Sequence, residues 1–320
     1  MIPFFDAHAD TVFRCLNEGK DLKKNDLHID LVRSKQYAPY AQFFAIWTMA
    51  QVDSQSNPRD FTSEQMFSGY VKTLEYMKSE FEKNDDILLH CKNAEDAKTA
   101  AKSEKIAAFI SVEGAELLEC SEDRLFEVYE AGVRAVNLCW NNANLLCGSC
   151  IDEAERGLSS EGKSFVRRAH ELGVIIDLSH ASEPAFWDTI EVSSRPVMTS
   201  HSNSKELYGH PRNLTDGQFK ALIENGGISG INLYSDFLSD GNADIQDVFA
   251  HIERFMSLGG KKSIAIGSDF DGVERLPKGM NGIEDIHKLY DLLLAQNYNE
   301  DVVRDIFYNN LMDFIGKAMN

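Results

Sequence analysis

No stretch of this chain approaches the ~20 consecutive apolar residues that a membrane-spanning helix requires. Its N-terminus also lacks the basic segment and following apolar run of a secretory signal, so a cytoplasmic protein without a membrane anchor is expected. Positive charge is scarce: 32 Lys and Arg face 51 Asp and Glu, a formal net charge of −19. Such a surface repels phosphate backbones, and Arg167-Arg168 and Lys261-Lys262 are isolated pairs, which argues against nucleic acid as a partner. The fingerprints GxGxxG and GxxxxGK(S/T) are both missing, so no nucleotide-binding turn is expected. The six cysteines are scattered except for Cys147-Gly-Ser-Cys150. One CxxC without a second pair completes no zinc site, and the thiols read as ordinary free side chains in a reducing compartment. No internal repeat, low-complexity tract or Pro/Ser-rich linker divides the sequence. Residues 1–320 therefore read as one domain.

What is present is enough apolar material for a large core, 43% of residues. Short apolar or β-branched runs recur at Ile2–Ala7, Phe43–Thr48, Ile106–Val112, Val133–Cys139, Val174–Ser179, Pro196–Ser200, Ile228–Tyr234 and Ile264–Ser268. They are continuous rather than alternating, as expected of parallel strands buried on both faces. The segments between them carry helical periodicity. In Phe61–Asn84 a stripe runs through Tyr70, Leu74, Met77 and Phe81, and Glu161–Leu172 and Asp244–Leu258 each stop at glycine. Two further helices, near Ile283–Gln296 and Asn299–Lys317, finish the chain. Eight strands alternating with helices predict an α/β protein of the (β/α)8 TIM-barrel class; an open doubly wound sheet is the alternative.

A barrel places functional groups at the C-terminal ends of its strands. His8 and Asp10 follow the first run, Glu113 the third, His180 the fifth, His201 the sixth and Asp269 the eighth. Spaced i and i+2, His8 and Asp10 would point to one face of a strand. Taken singly, each of the six has a plainer explanation as a loop residue, a solvated turn or a helix N-cap. Taken together, they would bury carboxylates at one rim, and a cation removes that cost. Three histidines and two carboxylates besides Asp269 suit zinc or a similar first-row divalent ion, and exceed the three protein ligands of one catalytic zinc. Two ions sharing Glu113 account for the number, with His8 and Asp10 on one and His180 and His201 on the other.

Taken in order, these residues resemble the renal (membrane) dipeptidase family of metallopeptidases, peptidase family M19, in its bacterial type. The resemblance covers nearly the whole chain. It rests on Phe5-Asp-Ala-His8-Ala-Asp10-Thr11, Ala41-Gln-Phe-Phe-Ala-Ile-Trp47, Ser111-Val-Glu113-Gly114 and Gly173-Val-Ile-Ile-Asp-Leu-Ser-His180. It continues in Pro196-Val-Met-Thr-Ser-His201-Ser, His210-Pro-Arg212-Asn213-Leu, Gly267-Ser-Asp269-Phe-Asp-Gly272 and Asn310-Leu. The resemblance implies a (β/α)8 barrel with two zinc ions held by the five residues as already divided. It further implies Asp269 as the acid/base carboxylate and Arg212 as the substrate-binding arginine. The implied reaction is hydrolysis of a dipeptide, possible also with a D-residue at the C-terminal side, by a water activated between the ions. Asp269 would carry the proton to the leaving amine and Arg212 would clamp the substrate carboxylate. A homodimer is in keeping with the family.

The chain departs from the family pattern twice. Trp140 stands where animal members carry a substrate-facing histidine after the fourth strand, and Gly114-Ala115-Glu116 stands where Gly-Gly-His is frequent. Other readings stay open at this stage. Arg212 could pair with Asp216 instead of a substrate. The chemistry could belong to another metal hydrolase of this barrel, acting on a cyclic amide, lactam or acyl amino acid. A silent metal-binding relative is disfavoured because all six residues are present. His210 shares a loop with Arg212, whereas His28, His90, His170, His251 and His287 read as structural, Trp140 as core or pocket wall, and Asp271 as a coincidental half of a calcium loop.

Overall fold

The computed structural model describes residues 1–48 and 62–319. Among them nine strands alternate with helices: β1 (Ile2–Ala9), β2 (Tyr37–Ile46), β3 (Leu88–His90), β4 (Ile106–Val112), β5 (Val133–Asn137), β6 (Ile175–Asp177), β7 (Met198–Thr199), β8 (Ile228–Ile231) and β9 (Ile264–Ile266). Every ladder is parallel. The sheet order is β2-β1-β9-β8-β7-β6-β5-β4-β3, and a further β2–β4 pairing closes the ring. Eight strands thus form the (β/α)8 barrel expected from the sequence.

The ninth, β3, lies outside the ring. It pairs with Ile106–Ala108 of β4, whereas β5 pairs with Ile110–Val112 of the same strand. A three-residue strand between helices Ser63–Lys83 and Ala94–Lys102 is too short to leave a periodic signal. Strand lengths also differ from expectation. β6, β7 and β9 end before the apolar runs do, because a side chain takes over from the ladder: Asp177 Oδ1 accepts the N–H groups of Ser179 and Ser200, each at 3.0 Å, and Asp6 Oδ1 accepts that of Ser268 at 2.8 Å. β2 begins six residues earlier than its apolar core, at Tyr37. Pro39 sits where the β1–β2 register slips, between Ile2↔Tyr37 and Phe4↔Tyr40, a position where its missing N–H costs no ladder bond.

Two apolar layers hold the barrel. Phe5, Phe43 and Phe109 stack inside it, with ring centroids 5.0–5.7 Å apart. Ile175, Met198 and Ile228 join them, and Leu311, Phe314 and Ile315 of helix Asn310–Ala318 close the end away from the strand C-termini. Asn310 fixes that helix by donating to the carbonyls of Lys261 and Ile264. The expected single helix Asn299–Lys317 is instead broken at a π-turn, Asp305–Asn309. The outer layer includes Phe4, Phe44, Ile110 and Ile176, packed against helices such as Ser63–Lys83 through the expected stripe Tyr70, Leu74, Met77 and Phe81. Thr62 and Gln65 form a capping box at its start; Phe61, where the helix was expected to begin, lies outside the described residues.

A bulge in β1 prepares the site. Asp6 pairs with Gln42 and Ala9 with Phe44, so β1 spends three residues where β2 spends two. Faces are exchanged across it: Phe5 and Ala7 belong to the inner layer, but Ala9 belongs to the outer one with Phe4. The extra residue turns His8 into the barrel mouth.

Candidate metal centre

All seven residues singled out in the sequence meet at that mouth. His8 stands on the bulge of β1, and Asp10 is the N-cap residue of helix Thr11–Glu18, where its side chain makes no capping bond. Glu113 follows β4 on the inward parity of Phe109 and Ser111. His180 and His201 follow β6 and β7, and Asp269 follows β9. Arg212 comes from the loop before helix Asp216–Asn225. Each is at most 7% exposed.

Glu113 lies between the two histidine groups. Its Oε2 is 3.6 Å from His8 Nε2, while its Oε1 is 2.8 Å from His180 Nε2 and 3.6 Å from His201 Nε2. His8 Nε2 lies 3.4 Å from Asp10 Oδ2 and 4.0 Å from Asp269 Oδ1. Three overlapping triads result, His8–Asp10–Glu113, Glu113–His180–His201 and His8–His201–Asp269, with donor atoms in each within 4.8 Å of one another. His8 and Asp10 do approach each other, but a bulge and a helix cap, not the strand alternation expected from their i, i+2 spacing, bring them together.

The donor set fits divalent cations. His180 Nδ1 is 2.9 Å from Asn141 Oδ1, and His201 Nδ1 is 2.7 Å from Ser200 Oγ. With protons on those Nδ1 atoms, both Nε2 lone pairs face each other across 3.1 Å, and both face Glu113. Lone pairs so arranged repel unless a Lewis acid lies among them. Both ring nitrogens of His8 and Asp10 Oδ1 are buried without a hydrogen bond, a condition that native interiors seldom tolerate.

The electrostatics agree. Burial pushes the Glu113 carboxyl up to about 8, and Asp10 beside it adds to the effect. Asp269 is raised for the same reason. Burial opposes charge on His8, yet Glu113 and Asp10 outweigh it and lift that imidazole well above its usual range. His180 and His201 go well below it, through burial first and then the neighbouring Arg212 and His8. Without an ion, a proton on His8 is the compensation these facing carboxylates draw in.

Above the cluster opens a cavity of about 490 Å³, lined by Asp10, Glu113, His180, Arg212 and Asp269 and walled by Phe13, Trp47, Trp140, Tyr234 and Phe237. Arg212 Nη2 lies 3.2 Å from His180 Nε2, and its Nη1 is buried without a partner. Asp216 is engaged by Arg254, so the alternative Arg212–Asp216 pair is absent. Trp140 is a pocket wall, 5.3 Å from Trp47 and 6.3 Å from His180 between ring centroids. Glu116, the other departure, accepts from Trp140 N at 3.1 Å and Asn144 Nδ2 at 2.9 Å and so pins that wall in place. His210 accepts from Arg212 N through Nδ1 at 3.2 Å. Asp271 holds His28 by accepting from its N at 2.8 Å and donating its own N–H to His28 Nδ1 at 2.9 Å. Gly272 must lack a side chain: a Cβ there would stand 2.3 Å from Asp10 Oδ2 and 2.5 Å from Asp269 Oδ1.

Sequence reasoning missed three supporting groups. Asn141 and Ser200 hold the two imidazoles, and both stand beside residues already singled out. Asn232 donates to Asp269 Oδ2 at 2.9 Å. It follows β8 directly, so the strand-end rule that picked out Asp269 applies to it too.

Comparison with known proteins gives the family. The sequence model of the membrane dipeptidases (peptidase family M19) matches residues 1–320. An uncharacterised protein in the PQQ-III 3′ region of Acinetobacter calcoaceticus is 32% identical over 285 residues, covering 80% of this chain and 89% of that protein. An uncharacterised dipeptidase of Schizosaccharomyces pombe is 32% identical over 279 residues, 83% of this chain and 65% of that protein. The fold matches a metallopeptidase from Rhodobacter sphaeroides, liganded with a phosphinate mimic of L-Ala-D-Ala, at TM-score 0.89 and 22% identity over 99% of both chains. It also matches a probable dipeptidase, PvdM, from Pseudomonas aeruginosa at TM-score 0.88 and 18% identity, covering 99% of this chain and 96% of that one. With the family matched over its whole length, the chain belongs to the membrane dipeptidases, peptidase family M19, and is a metallopeptidase-type hydrolase.

Proposed function

We propose that the protein hydrolyses the peptide bond of dipeptides, including those with a D-residue at the C-terminal side, with two zinc ions bound at the barrel mouth. His8 and Asp10 would hold one ion, His180 and His201 the other, and Glu113 both. The observation that carries the reading is the meeting of donor atoms from the ends of β1, β4, β6 and β7 in overlapping buried triads, beside an arginine with an unpartnered Nη1. Bound there, the ions would supply Lewis acidity and a water acidic enough to react near neutral pH.

The rest falls to the chain's own side chains. Asp269 takes the proton of the attacking water and returns it to the nitrogen of the departing amino acid. Asn232 holds Asp269 Oδ2, leaving Oδ1 on the side of His8. Arg212 meets the C-terminal carboxylate of the substrate with two parallel N–H bonds. The aromatic walls bury the substrate's flanks and exclude bulk water. The reading places the enzyme in the cytoplasm, supported by six free thiols; no helix among the described residues is long and apolar enough to cross a membrane.

Metal analysis of the purified protein, alongside amino-acid release from a panel of L-L and L-D dipeptides, tests the proposal. Two ions per chain are expected, with release that stops on chelation and returns with zinc. Turnover confined to cyclic amides or acyl amino acids, or a single bound ion, would overturn it.

A further inference from the structure

Two fully enclosed carboxylates, Asp6 on β1 and Asp177 on β6, lie behind the donor cluster, 0% and 1% exposed. Their hydrogen bonds go to backbone N–H groups and serine hydroxyls, not to the side chains proposed to hold the ions. Each instead ties two neighbouring strand ends together through a single oxygen. Asp6 Oδ1 accepts from His8 N at 3.3 Å and from Ser268 N at 2.8 Å, while Oδ2 accepts from Ser268 Oγ at 2.5 Å. The first N–H lies inside the β1 bulge, and the second belongs to the residue before Asp269. Asp177 Oδ1 accepts from Ser179 N and Ser200 N at 3.0 Å each and from Ser179 Oγ at 2.8 Å. Those two residues immediately precede His180 and His201. Ser179 Oγ in turn accepts from His201 N at 3.0 Å, and Ser200 Oγ reaches His201 Nδ1.

In the closed ring β1 and β6 stand four strands apart, on opposite sides, and β4, which carries Glu113, stands midway. We propose that Asp6 and Asp177 are positioning residues, each setting one half of the metal centre independently: Asp6 the His8/Asp10 side with Asp269, Asp177 the His180/His201 side. The proposal rests on the two-ion reading above. Physically, the ladders stop where these strands end, so they do not hold the residues just beyond them. A carboxylate that gathers N–H groups from two adjacent ends fixes them relative to each other, which is what a ligand pair requires.

The test is ion stoichiometry and affinity, measured by chelator competition on the zinc-loaded protein. Asp6→Ala should leave one ion at wild-type strength and weaken the other about ten- to a hundredfold. Asp177→Ala should do the same to the opposite ion. The halves are told apart by a second substitution: Asp6→Ala with His8→Ala keeps one tight ion, whereas Asp6→Ala with His201→Ala keeps none. Asp6→Asn and Asp177→Asn retain the accepting oxygen and should hold both ions within about threefold. Equal weakening of both ions by either Ala variant, or Asn variants as poor as Ala, overturns the proposal. If the Ala variants fail to fold, amide exchange in the metal-free wild type decides. The amides of His8, Ser179, Ser200 and Ser268 should be as protected as ladder amides, and fast exchange refutes the clamp. A wild type that binds no zinc would instead bring down the two-ion reading itself.

Discussion

Replacing Arg212 with Met removes a charge while keeping the length of an apolar stem, and the structure sets the size of the effect. Arg212 is 4% exposed, its Nη1 has no partner, and its Nη2 has only an imidazole nitrogen at 3.2 Å. An ion on His180 would claim that nitrogen's lone pair, leaving both guanidinium branches for a carboxylate. Two charge-assisted bonds at about 1.5–3 kcal/mol each, discounted for non-additivity, give a loss of about 3–4 kcal/mol, or roughly 10²- to 10³-fold in kcat/KM. A C-terminally amidated dipeptide presents no charge there, so its loss should stay near 1 kcal/mol, about fivefold. The assay is kcat/KM for matched free and amidated dipeptides with wild type and Arg212→Met, with metal content measured on both proteins. Equal losses on the two substrates would refute the carboxylate clamp. Lost zinc would show that the guanidinium supports the ion cluster instead.

Two other perturbations follow from the geometry. Asp269→Asn keeps the Asn232 contact and volume but removes the proton carrier; turnover should fall by at least about 10³-fold with metal content unchanged, and retained turnover would refute the role. His170 is buried with its Nδ1 accepting from Ser194 N at 3.2 Å, and burial pushes it down to about 4. Because the unfolded imidazole binds its proton near pH 6.5, this neutral side chain stabilises the fold above that pH. The contribution is lost as pH falls from about 6.5 to 4, roughly 1–3 kcal/mol after solvent screening. His170→Asn should flatten the stability profile in that window, measured by denaturant titration; an unchanged slope would refute it.

The barrel and the convergence of these ionisable side chains were readable because both write themselves into short stretches. A strand buried on both faces needs a continuous apolar run, and a ligand at its end follows that run at once, as in Ile175-Ile-Asp-Leu-Ser-His180. What stayed hidden depends on partners far apart in sequence. β3 has only three residues and takes its meaning from β4. The β1 bulge is a mismatch in pairing with β2, invisible in either strand alone. Asn232 reads as an unremarkable residue until Asp269, 37 positions on, is brought to it. Asp6 and Asp177 sit in plain view within the recognised segments, but their work is done on the backbone of neighbours, which side-chain chemistry alone does not reveal.

Ring closure by β1 against β9 also governs when the enzyme comes into being. His8 and Asp269 lie 261 positions apart in the sequence, yet they end 4.0 Å apart. Until β9 slots in beside β1, no folding chain possesses an assembled centre, and β1 gains its second neighbour only after the strands between them are in place. The assembled site therefore arrives as a completion event: a chain cut short before β9 lacks both the ring closure and the Asp269 carboxylate.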